Sequence, residues 1–82
     1  MTAIKRCEKH IEKLEHKIEK EQLKIEHLQD QCEDNKITKA EFNIKKNHIE
    51  EKIHVMKSEI GSLHGEIAVE IRRLEEKKKQ SI

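Results

Sequence analysis

Residues 33 to 42 read Glu33-Asp34-Asn35-Lys36-Ile37-Thr38-Lys39-Ala40-Glu41-Phe42, and they decide whether this chain is one helical rod or two. The run Glu33-Asp34-Asn35-Lys36 interrupts an apolar periodicity that comes up to it from the N-terminus. Immediately after it, Thr38 and Glu41 have the spacing of a capping box, in which an N-cap hydroxyl and a glutamate three residues on satisfy orphan N–H groups. Ile37 and Phe42 stand just before that cap and at the fourth helical position, as a hydrophobic staple requires. Two independent signals therefore start a new helix at Thr38. A single helix of about 80 residues leaves both unexplained.

On the N-terminal side, Ile4, Cys7, Ile11, Leu14, Ile18, Glu21, Ile25, Leu28 and Cys32 follow one another at steps of three and four. That is a heptad seam with one polar interruption, Glu21. On the C-terminal side a second seam runs through Phe42, Ile49, Ile53, Met56, Ile60, Leu63, Ile67, Ile71 and Leu74, with Lys46 as its polar member. Two successive steps of four between Leu63 and Ile71 form a stutter that relaxes a left-handed supercoil. Residues 37 to 46 also resemble the I-T-x-x-E-F-x-x-K-K segment of the short C-terminal domain family, a ten-residue likeness that capping physics alone can select.

Two apolar-striped helices joined by a short loop become antiparallel neighbours. The chain is thus read as all-α: one helical hairpin over residues 1–82, with a helix over about 3–33, a loop over about 34–38 and a helix over about 39–79. An alignment that sets Cys7 opposite Ile67 also sets Ile11 against Leu63, Leu14 against Ile60, Ile18 against Met56, Ile25 against Ile49 and Cys32 against Phe42. Glu21 then faces Ile53 and Leu28 faces Lys46, two mixed layers that penalise slipped alignments or, alternatively, merely snorkel to water. On the flanks the same alignment pairs Glu15 with Lys57, Lys17 with Glu59, Glu8 with His64 and His10 with Glu66, against one like-charged pair, Lys24 and Lys52.

Composition agrees with long helices: 43% of residues are charged, 33% hydrophobic, and there is one aromatic, Phe42, with two glycines and no proline. Eighteen basic residues nearly cancel seventeen acidic ones, and the periodic apolar residues argue for order over disorder. No apolar run is long enough to span a bilayer, and residues 1 to 20 lack a signal peptide's hydrophobic stretch, so a soluble, cytoplasmic protein is expected. Cys7 and Cys32 lie roughly 37 Å apart on one straight helix, too far for a disulfide, and two free thiols fit a reducing compartment.

The expected function is assembly. In the alignment above, Ile71 and Leu74 extend past the start of the first helix, and Val55, Ser58, Gly61, Ser62, Gly65, Ala68 and Val69 form a small-residue stripe on the outer face of the second. Small side chains let another backbone approach, although such a stripe is also what a tolerated bend on a solvated face looks like. On the first reading these residues, with Ile71 and Leu74, join two hairpins into a homodimeric four-helix bundle, similar in shape to the plasmid Rop-type dimer of hairpins. The alternative partner for the same surface is another helical protein.

Nucleic-acid binding is the alternative, because residues 1–13 and 70–82 each carry net +2 and meet at one end of the hairpin. Lys5, Arg6, Lys9, Lys13, Arg72, Arg73, Lys77, Lys78 and Lys79 are the candidate contacts. Basic residues near a helix C-terminus also complement its dipole, and no aromatics are interleaved for stacking. Six histidines, at 10, 16, 27, 48, 54 and 64, include no i, i+4 pair, so no metal site is expected. No cofactor and no catalytic residue are expected either: a two-helix seam has no cleft in which to perturb a carboxylate, and both cysteines fall at seam positions.

Overall fold

The structure, a computed structural model, describes residues 2–80, with side chains through residue 78. It is an all-helical hairpin of two helices, α1 (Ala3–Glu33) and α2 (Lys39–Gln80), with no strand among the described residues. Its extents are 70 × 18 × 13 Å and its radius of gyration is 19.4 Å, against the roughly 12 Å of a globular chain this long. Most side chains in so thin a rod touch water.

The start of α1 and both helix ends at the loop are closed by identifiable hydrogen bonds. Thr2 caps α1, its hydroxyl accepting from the Lys5 N–H at 3.2 Å. At the other end Asn35 takes a left-handed conformation, φ 59°. Its N–H donates to the Cys32 carbonyl at 3.1 Å, while the Lys36 N–H donates to the Gln31 carbonyl at 2.9 Å. Those two bonds define a Schellman motif with asparagine in the position usually held by glycine. Three residues later the chain starts α2: the Thr38 hydroxyl accepts from the Glu41 N–H at 3.1 Å. The capping box is only half made, because Glu41 Oε1 accepts from the Thr38 hydroxyl at 3.4 Å instead of reaching back to the Thr38 N–H.

The core occupies the half of the hairpin remote from the loop. Ile11, Leu14, Ile18, Ile53 and Leu63 are its buried members. Cys7, Met56, Ile60 and Ile67 pack, partly buried, against Ile11, Leu14 and Leu63. Toward the loop, Ile25, Leu28, Cys32, Phe42 and Ile49 are only half-buried.

The two polar seam residues behave differently. Lys46 reaches out of the seam, its Nζ 5.8 Å from the Phe42 ring centroid and 3.8 Å from Glu50 Oε1, so it snorkels. Glu21 does not: its side chain is 15% exposed, Oε1 takes Lys24 Nζ at 3.0 Å, and Oε2 is buried with no partner. An unsatisfied buried oxygen costs stability, about 1–3 kcal/mol, and the same cost discourages bringing apolar neighbours into a slipped alignment around it.

The flanking ion pairs differ from the expected set. His10 Nε2 lies 3.3 Å from Glu59 Oε1, one heptad nearer the loop than Glu66. Glu66 instead accepts from Cys7 Sγ at 3.5 Å. The pairs Glu15 with Lys57, Lys17 with Glu59 and Glu8 with His64 do not form among the described residues, and Lys24 turns from Lys52 to Glu21. Exposed pairs of long side chains are each worth about 0.2–1 kcal/mol, too little to dictate geometry once the apolar layers have set it.

Candidate assembly surface

Leu23 apart, α1 keeps its large apolar side chains on one face, whereas α2 divides its own between two. Outside the seam, the residues Val55, Ser58, Ser62, Gly65 and Val69 succeed one another at steps of three and four, all exposed, with Ser62, Gly65 and Val69 bordering the first turns of α1. Val55 is 61% exposed and Val69 53%. Gly61 and Ala68 lie beside this row and are exposed too. The Ser62 hydroxyl donates to the Ser58 carbonyl at 3.3 Å, which turns one polar group back onto its own helix. A Cβ built at Gly61 or Gly65 meets nothing within 4 Å, so neither glycine is demanded by packing inside the hairpin. Ile71 and Leu74, on the part of α2 that outruns α1, are exposed as well.

The basic residues gather at the same end. Lys5, Arg6, Lys9, Lys13, Arg72, Arg73, Lys77 and Lys78 are all exposed. Arg73 Nη1 is engaged with Glu70 Oε2 at 3.7 Å. The side chain of Lys79 lies outside the described residues.

Near this end Cys7 sits in the seam with its thiol against Glu66. Partial burial pushes the thiol above its ordinary pKa, and the hydrogen bond and negative charge of Glu66 push the same way. Cys7 is therefore held as a neutral thiol that packs. Among the described residues no three histidine, cysteine or acidic side chains gather as a metal site, and no helix is long and apolar enough to cross a membrane.

A second apolar surface lies near the loop, and the seam reading of the sequence passes over it. Leu23 of α1 and Ile44 of α2 are 62% and 71% exposed. Between them, above the half-buried Leu28 and Ile49, runs an open groove of about 880 Å³. The signal for it was present: two branched apolar residues at positions that face away from both heptad seams. No protein-family model, curated protein or solved structure matches this chain.

Proposed function

We propose that this hairpin is a non-enzymatic coiled-coil assembly or adaptor module that associates with a second copy of itself, two hairpins forming a four-helix bundle. The observation that carries the reading is the second row on α2, where valines 61% and 53% exposed bracket two glycines with open space above them. An interior glycine costs a helix about 1 kcal/mol relative to alanine, and close approach of another backbone is a physical reason to keep two. The overhanging Ile71 and Leu74 add apolar surface at the same end. Two free thiols, Cys7 and Cys32, suit the reducing cytoplasm.

Sedimentation equilibrium across micromolar concentrations tests the proposal, with a dimer mass expected. A monomer throughout removes it. Leucine at Gly61 or Gly65 gives a cleaner discrimination, because nothing in the hairpin opposes the new side chain and helix propensity improves. Both variants are expected to gain helicity while losing self-association. The two effects point in opposite directions, so a folding defect cannot imitate the result.

A second reading rests on the common end of the two helices, where Lys5, Arg6, Lys9 and Lys13 lie exposed alongside Arg72 and Lys77. Phosphate-backbone binding there gives an affinity that falls steeply with salt. A gel-shift titration with mixed RNA and DNA at low salt tests it; absence of a shift eliminates this reading.

A further inference from the structure

The geometry points to the groove near the loop as a docking site for an amphipathic helix of another protein, one whose apolar ridge is flanked by acidic residues. The groove shares no residue with the outer row of α2 on which self-association is proposed, but its rim residues His48 and Glu51 adjoin Val55 of that row, so the variants below are chosen to tell the two ideas apart. The groove is walled by Leu23 and Ile44 and floored by Leu28 and Ile49. Its walls are the most exposed large hydrophobic side chains among the described residues.

The shape selects a helix. On α1 the lining runs from Lys20 to Leu28 and on α2 from Ile44 to Glu51, each about 12 Å of helix, or roughly two turns. Both walls are α-helices whose backbone groups are already bonded within themselves, so an extended segment laid between them finds no ladder partners for its N–H and C=O groups. A helix satisfies its own. It also offers apolar side chains at i, i+4 and i+7 to fill the trough, the usual way a groove reads a helix.

Charge selects the flanks. Lys20, Lys24 and Lys45 line the rim, against a single carboxylate, Glu51. Lys24 is paired with Glu21, but Lys20 and Lys45 have no acidic partner within 4.0 Å among the described residues. His27 and His48 extend the same rim. A second copy bringing the same groove face to face sets lysine against lysine, which disfavours self-pairing here. Glutamates or aspartates beside an apolar ridge complement this rim, steering encounter and fixing orientation.

The test uses two labelled peptides, each a three-turn helix with leucine at i, i+4 and i+7, one flanked by glutamate and the other by lysine, titrated with the whole chain by fluorescence anisotropy. The glutamate peptide is expected to bind, and the lysine peptide at least about tenfold more weakly, with the preference shrinking as salt rises. Leu23→Asp and Ile44→Asp, both at exposed positions, are expected to abolish binding with helicity unchanged. Lys20→Ala or Lys45→Ala is expected to weaken it roughly two- to fivefold. Failure of both peptides to bind, or equal affinity for the two, overturns the proposal. So does a loss of dimer mass in Leu23→Asp or Ile44→Asp, because the groove would then be occupied by a second copy. Displacement of the glutamate peptide by low concentrations of mixed-sequence RNA overturns it too, in favour of a phosphate ligand.

Discussion

At the scale of single residues, the loop is decided by a few atoms. Thr38 and its bond from the Glu41 N–H were legible because capping is local chemistry, read from residues three apart. The left-handed Asn35 was not, since asparagine is one of several polar residues in that stretch and only its backbone angle distinguishes it. Alanine at that position has to adopt the same φ without asparagine's tolerance for it. Asn35→Ala should therefore cost about 1 kcal/mol in urea denaturation, while Asn35→Gly should be nearly neutral. Cys7 supplies a second check. Its folded thiol is raised, so the stability contributed by the neutral form is complete below the ordinary thiol pKa of about 8.5 and is lost as pH climbs through the higher folded value. Glu66→Gln removes a charge that holds the proton on, so alkylation of Cys7 by iodoacetamide at mildly alkaline pH should accelerate. An unchanged rate would show that the 3.5 Å contact contributes nothing.

At the scale of elements, apolar spacing carries the seam and leaves the flanks undetermined. The layers around Ile11, Leu14 and Leu63 assemble because branched side chains at steps of three and four have one place to go. The partner of His10 could not be read the same way: Glu59 and Glu66 stand one heptad apart on the same flank, and both are long and solvated. The groove was missed for another reason. A seam reading assigns each apolar residue one partner helix, and Leu23 and Ile44 belong to neither seam. Energetics should follow burial. Leu14 is 4% exposed and Ile60 only half-buried, so Leu14→Ala should fall high in the range of about 2–5 kcal/mol for such truncations and Ile60→Ala at its low end. Lys57→Ala should cost less than about 1 kcal/mol. Because Leu14 and Ile60 share one cluster, chemical denaturation of the double variant should give a cost that departs from the sum of the singles.

At the scale of the whole molecule, a hairpin 70 Å long and little more than two side chains thick buries few residues, and stability gained by association matters correspondingly more. If two copies associate, mass action makes the thermal midpoint rise with protein concentration; a midpoint independent of concentration would count against self-association. The uneven core has a further consequence, in time rather than in space. Among the described residues the five that are buried lie between positions 11 and 18 of α1 or 53 and 63 of α2, and none lies in the stretch that includes the groove. Separating the helices on the loop side uncovers side chains that are only partly buried, such as Ile25, Leu28 and Ile49, so that half should open more readily than the other. Amide hydrogen exchange should divide accordingly, slow in the helical stretches beside the buried cluster and faster from Glu21 to Glu33 and from Phe42 to Ile49. The hairpin then behaves as a closed loop clamped at its middle, whose loop-side half can loosen around a docked helix without the fold being undone.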